Sequence, residues 1–378
     1  MKEQETYDLA PLISMGMMWN LKINPKIERK YVNGRWGMFA TEPIESSEVL
    51  ISSNTPAAIL HKGYDEMVGK YSVEFEKGKD AYLTPWFDTL KTDIDSFKEN
   101  ATYYATDDEL ETLSKISLLI HSKVRHYIKN ISTKSDEISK EYKCSKESAE
   151  IMLLMKDSRA WGAGFMPGFD LFNHNARRGN PMYIIEEEGQ PLYMFLSRGA
   201  YAVGEEIFVS YDANDSMKYC INYNFFDETD IHTVNILQRL FFNADDENGQ
   251  VILNRLKESV GIAEHDIDGK SVFQIKSAAP LMAGNLCTDL LDIATQFALD
   301  EDGNVQDETL TETLMNWLQY SSHNVLLNTL REEQLTPRIK RFLNCISADN
   351  RAIQQCWDWV ILNSKVYSNT FLRDYKKN

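Results

Sequence analysis

The hydrophobic pattern of this chain changes period three times, and that limits the folds open to it. From about residue 20 to 75 the pattern is one of short strands and turns. "NGRWGMFA" starts at Asn33-Gly34, a strong turn dipeptide, and "EVLISS" follows as a β-branched, apolar strand. From about 85 to 157 apolar residues recur three and four apart, as at Leu110, Leu113, Ile116 and Ile120, which is the spacing of an amphipathic helix. The acids of "ATDDEL" stand where that helix's N-terminal dipole favours them. "KSDEISKEYKCSKES" reads as a solvated face or exposed loop. From about 160 strands return: "PMYII" and "LYMFLS" flank "EEEGQP" as a hairpin, and "GEEIFVSY" alternates Ile207, Val209 and Tyr211 against Phe208 and Ser210.

Beyond about 230 the pattern reads as helical to the end. Leu286, Leu290, Leu291, Ala294 and Phe297 form one stripe, Leu310, Leu314, Trp317 and Leu318 another, and Pro337 opens a further helix. The basic residues of that last stretch, Arg338, Lys340, Arg341, Arg351, Lys365, Arg373, Lys376 and Lys377, are expected on an outer helix face. The layout is α+β, not βαβ. Residues 20–84 and 158–227 would form the two parts of one β-rich unit, 85–157 a helical insert, and 228–378 an all-α unit.

A net charge of −17 argues against general nucleic-acid binding, which needs Lys and Arg to neutralise phosphates, and against anionic membrane surfaces. It suits a basic protein partner through electrostatic steering, or serves solubility alone. The cysteines at 144, 220, 287, 345 and 356 are odd in number and never spaced C-x-x-C, so neither a disulfide framework nor a zinc site is expected. A reducing compartment, the cytoplasm with the nucleus as an alternative, fits them. The opening residues lack the apolar core of a signal peptide, and no apolar run reaches the length of a membrane span.

Most common chemistries leave no trace. There is no P-loop pattern, no G-x-G-x-x-G, no G-x-S-x-G and no H-x-x-x-H pair. What remains is a set of polar and aromatic residues in the second β-rich block: Ser158-Arg159, Asp170, Asn173-His174, Tyr211 and Tyr223. Each alone has a plain structural explanation, since Asp and Asn bond their own turns and a strand-end Tyr packs in a core.

Their order is the signal. A Gly-containing first turn followed by "FA" and "PIESSEVL" leads, much later, to "SR", "DLFNH", "GEEIFVSY" and "NYNFFDE". This resembles the SET-domain protein methyltransferases, and within them the branch of the Rubisco large-subunit lysine methyltransferase and the actin histidine methyltransferase. "TPWFDTL" and "FKENATYYATDDELETL" are similar to segments of that branch. The resemblance implies a SET domain interrupted by a helical insert and followed by a helical substrate-binding domain. It also implies S-adenosylmethionine (AdoMet) as cofactor, a protein substrate and no metal.

Residue by residue, the resemblance implies that Arg35, Trp36 and Gly37 wrap the cofactor's tail, Arg159 lies beside it, and Asn173 and His174 grip it. Tyr211 would stand at the methyl-transfer channel in contact with both cofactor and substrate. Ser158, Asp170, Tyr223 and Phe225 would line the substrate channel. Two departures stand out. Asn224 replaces a usual Gly, and Asn is the best non-Gly residue at positive φ. Arg35-Trp36 stands where many members have a second Gly. Trp161, following "SRA", cannot accept a hydrogen bond from an imidazole, which favours lysine over histidine as acceptor. Histidine methylation, and a degenerate SET fold used to bind peptides, are the alternatives.

Overall fold

The computed structural model describes residues 5–54, 61–161, 164–187, 189–211 and 215–226, then 233–235, 241–245, 247–259, 262–267, 270–275, 280–282, 288–300, 302–323 and 334–367. Asp227, Leu286, Cys287, Arg373, Lys376 and Lys377 lie outside the described residues, as does the side chain of Lys365. Two compact units result: Met1–Leu110 with Ser122–Ala213 and Ile221–Phe225, and Glu111–His121 with Asn214–Cys220 and Phe226–Asn378.

The first unit holds strands β1 (Glu5–Tyr7), β2 (Lys22–Ile23), β3 (Ile27–Val32), β4 (Arg35–Ala40), β5 (Val49–Asn54), β6 (Asn173–His174), β7 (Met182–Glu187), β8 (Gln190–Leu196) and β9 (Phe208–Val209). They form small sheets ordered β1-β3-β4, β2-β5-β8-β7 and β6-β9. The Asn33-Gly34 turn joins β3 to β4 as expected: Val32 pairs with Arg35, and both turn residues have positive φ, 52° and 86°. "PMYII" and "LYMFLS" pair from Met182–Phe195 to Glu187–Gln190.

The site depends on a crossing. β6 lies parallel to β9, with Asn173 opposite Phe208 and His174 opposite Val209. The backbones of Asn180 and Ser210 then tie the next turn of chain across β9. Gly179 lets them approach: a Cβ there would stand 2.6 Å from the Val209 carbonyl carbon and 2.7 Å from the Ser210 nitrogen, with the Asn175 oxygen nearer still.

Helices come earlier than the sequence pattern implied. After α1 (Ala10–Gly16), α2 spans Tyr64–Glu76, where a strand-and-turn texture was read. Its Val and aromatic residues suit strands by propensity, yet Met67, Val68 and Tyr71 bury one helical face, and tertiary packing overrides the local preference. Next come α3 (Thr84–Asn100), α4 (Asp107–Ile116), α5 (Leu118–Tyr142) and α6 (Lys146–Arg159). Thr106 and Glu109 cap α4 reciprocally, each side chain accepting from the other's backbone N–H. Trp86, Phe87, Tyr71 and Phe165 pack ring against ring in the core.

The second unit includes the single turn α7 (Ser216–Lys218), α8 (Glu247–Ser259), α9 (Thr288–Phe297), α10 (Asp307–Ser321) and α11 (Pro337–Tyr367). It is not all-α. Strands β10 (Thr233–Asn235), β11 (Phe241–Asn243), β12 (Ile262–Ile267), β13 (Lys270–Ile275) and β14 (Pro280–Met282) form sheets β10-β14 and β11-β13-β12. The signal was present: Asp268-Gly269 is a hairpin dipeptide, and β13 alternates, burying Phe273 and Ile275. The basic stretch on α11 also departs from expectation. Lys340 and Arg351 are exposed, but Arg338 and Arg341 are buried, the latter with its guanidinium against the Phe342 ring. Residues 111–121 join this unit through a buried network in which Ser117 Oγ meets His323 Nδ1 at 2.8 Å, and His323 Nε2 faces Asp349 at 3.3 Å.

Candidate active site

A cavity of about 330 Å³ opens in the first unit, within the range of small-molecule sites. Ten of the eleven residues singled out from sequence line it: Arg35, Trp36, Ser158, Arg159, Asp170, Asn173, His174, Tyr211, Tyr223 and Phe225. Gly37 does not line it. It is buried in β4, where it leaves room for the carboxylate of Glu206.

The crossing places Asn173 and His174. Asn173 Nδ2 donates to Trp36 O at 2.8 Å and to Glu206 Oε1 at 2.7 Å. The other Glu206 oxygen takes Arg35 Nη2 at 2.9 Å. His174, buried, accepts at Nδ1 from the Tyr211 backbone N–H at 2.9 Å, and its ring stacks on Tyr211. That accepting bond fixes Nδ1 as the unprotonated nitrogen of a neutral imidazole.

Tyr211 stands at the centre of an aromatic cluster. Its ring stacks on Tyr223 at 5.3 Å and meets Trp161 edge-on at 5.9 Å and Phe225 at 6.5 Å. Its hydroxyl donates to Phe172 O at 2.6 Å. Burial pushes the Tyr211 pKa well above the usual tyrosine value, with Tyr223 and Asp170 adding to it and Arg159 opposing. The phenol therefore stays neutral at any working pH. A π-helical turn, Tyr219–Tyr223, delivers Tyr223 to the cluster.

Asp170 and Ser158 turn their polar atoms inward more than the channel-lining expectation implies. Asp170 is buried, and its oxygens accept from Trp86 Nε1 and the Gly168 N–H, each at 3.0 Å. Burial raises its pKa, opposed chiefly by Arg159. Arg159 in turn donates to Asp170 O at 2.9 Å. Asp170 thus holds the "MPGFD" turn in shape while touching the cavity. The Ser158 hydroxyl donates back to Leu154 O within its helix, so it faces the cavity as an acceptor.

Both departures have structural accounts. Asn224 has φ of 61°, the left-handed conformation a Gly would take. Its Oδ1 also accepts from the Thr102 N–H at 2.8 Å, which a Gly could not offer. Trp36 sets its ring against Tyr31 and Tyr7, with the Arg29 guanidinium 4.9 Å from its centroid.

Sequence reading missed Arg29, Asn100 and Glu206. Arg29 is buried, lines the cavity and donates to Thr89 O. A lone Arg in a strand carries no local sign of this. The acid pair in "GEEIFVSY" was visible, but its partners lie far away in sequence. Among the described residues no helix is long and apolar enough to cross a membrane, and no cluster of His, Cys, Asp and Glu is arranged to hold a metal.

Comparison with known proteins agrees with this geometry. Residues 35–212 match the family described as SET domain. Among solved structures, the SET domain of LSMT bound to lysine and AdoHcy matches with a TM-score of 0.64 at 13% identity, covering 94% of this chain and 92% of that one. Rubisco LSMT bound to sinefungin and monomethyllysine, and Rubisco LSMT bound to AdoMet, each match with a TM-score of 0.63 at 13% identity. Each covers 94% of this chain, against 92% and 93% of the other. Comparison with curated proteins returns no match. The crossing of β6 and β9, the aromatic cluster and the family match agree: residues 35–212 are a SET domain, on a chain with the α+β fold of Rubisco LSMT.

Proposed function

We propose that this protein is an AdoMet-dependent methyltransferase acting on a lysine side-chain nitrogen of a protein. The observation that carries the reading is the Tyr211 hydroxyl, held on Phe172 O inside a cluster of aromatic rings that borders the Asn173–His174 crossing. The cavity's donor set suits AdoMet. Arg159 offers a cation for a carboxylate, Trp36 O and Asn173 offer acceptors for an ammonium, and Phe225 offers a ring face. The solved neighbours were bound to AdoMet, AdoHcy, lysine or monomethyllysine.

Bound AdoMet supplies an electrophilic methyl group, and the protein's task is alignment. A lysine amine, with an ordinary pKa of about 10.4, reacts only when neutral, and a channel of Tyr211, Tyr223 and Phe225 lowers that pKa by desolvation. The same rings orient the amine and favour a methylated cation. The proton leaves to water. Trp161, edge-on to Tyr211, has no acceptor for an imidazole N–H, which supports lysine over histidine. The acidity of the chain suits a basic target segment, and a cytoplasmic setting belongs to the same proposal.

Titration calorimetry tests the reading. Wild type should bind AdoMet, and Asn173→Ala should weaken binding at least about tenfold, since it removes an acceptor for a charged donor. A folded wild type that binds no AdoMet would sink the proposal. The pH profile adds a second expectation. Turnover should rise with pH as the bound amine deprotonates and then level off. No fall should appear between about pH 8 and 10, because burial keeps Tyr211 protonated through that range. A falling limb there, abolished by Tyr211→Phe, would contradict the raised tyrosine pKa.

A further inference from the structure

We infer that Glu206 is a positioning residue for the cofactor's ammonium group, because it sets which end of the Asn173 amide the cavity receives; the inference rests on the methyltransferase reading above. A side-chain amide has one donor end and one acceptor end. Asn173 meets two acceptors, Trp36 O at 2.8 Å and Glu206 Oε1 at 2.7 Å. Only the NH₂ end can face both, so Oδ1 is the end left for a ligand. An ammonium is donor-only and needs that oxygen. Without the Glu206 carboxylate, Trp36 O alone would oppose rotation of the amide, and a rotated amide would turn N–H against N–H.

The surroundings hold Glu206 to this duty. Its second oxygen is fixed by Arg35, whose guanidinium also lies 5.9 Å from the Phe208 ring centroid. The Glu206 side chain is 14% exposed against 57% for Arg35, so Arg35 shields the carboxylate from water. Gly37 supplies the space: a Cβ there would stand 2.5 Å from Glu206 Oε1. Arg35, read from sequence as an odd substitution in a glycine turn, thus becomes the clamp on Glu206. The sheltered carboxylate also adds its own charge to the attraction for an ammonium.

The test compares two ligands by calorimetry: S-adenosylhomocysteine and the same molecule lacking its α-amino group. Wild type should prefer the first by about 10- to 100-fold, the worth of a hydrogen bond to a charged group. Glu206→Ala and Gly37→Ala should cut that preference at least about fivefold, by weakening S-adenosylhomocysteine alone. Glu206→Gln combined with Arg35→Ala, which leaves the glutamine carbonyl to Asn173 alone, should retain most of it. Thermal unfolding checks that each variant is folded. Equal weakening of both ligands would make Glu206 merely structural and overturn the inference, as would a preference undiminished in Glu206→Ala. Wild type binding neither ligand would instead strike down the methyltransferase reading itself, and this inference with it.

Discussion

Tyr211→Phe is expected to lower turnover about 100-fold or more, while AdoMet affinity changes by less than about threefold. The hydroxyl's bond to Phe172 O pins the ring at the centre of the cluster. Its loss removes the polar atom proposed to orient the incoming amine and frees the ring to shift. A misplacement of about 1 Å costs on the order of 100-fold in an alignment-limited reaction. The affinity is spared because the grips proposed for the cofactor's polar groups lie at Arg159, Trp36 and Asn173. Single-turnover rates beside calorimetry would separate the two. Turnover within about threefold of wild type would remove Tyr211 from the catalytic role.

Gly179→Ala should destabilise the first unit by about 3 kcal/mol or more, and AdoMet binding should fall with it. The added methyl would meet backbone atoms of Asn175, Val209 and Ser210. Side chains yield to overpacking by changing rotamer, whereas these backbone atoms, in β9 and just beyond β6 and β9, yield only by lifting the turn that follows β6 off β9. Those strands carry Asn173 and His174 and lead directly to Tyr211, so the cost falls on the site as well as the fold. Denaturant unfolding monitored through the tryptophans would measure it. A loss below about 1 kcal/mol would mean the crossing is slack.

The local parts of this architecture were readable from the chain. Asn33-Gly34 announced its hairpin, Pro337 its helix, and Asn224 in place of a glycine announced its positive φ. Each rests on backbone preferences that a residue carries wherever it stands. The misses share a different cause. Arg29 meets Thr89, Tyr7 and Trp36, and Glu206 meets Asn173 and Arg35, contacts that span from 7 to 171 residues and that no local pattern announces. The strands after residue 232 were obscured because the helical stripes at 290–297 and 310–318 that follow them dominate the average pattern. Helix α2 was lost to the β-propensity of its own core residues. Of the site itself, order of motifs located the crossing and its aromatic ring, while the carboxylate that orients Asn173 required coordinates.

The tie between Arg35 and Glu206 spans 171 residues. A ribosome adding roughly 5–20 residues per second needs about 10–30 s to make the second after the first. During that interval β4 and β5 are already synthesised, yet the bridge between Phe39 and Glu206 and the strand partner at β8 do not exist. The nascent chain therefore carries open, apolar strand edges for much of its synthesis, the state in which chains mispair. Until Glu206 emerges, β4 and β5 are the edges that must be kept from pairing elsewhere.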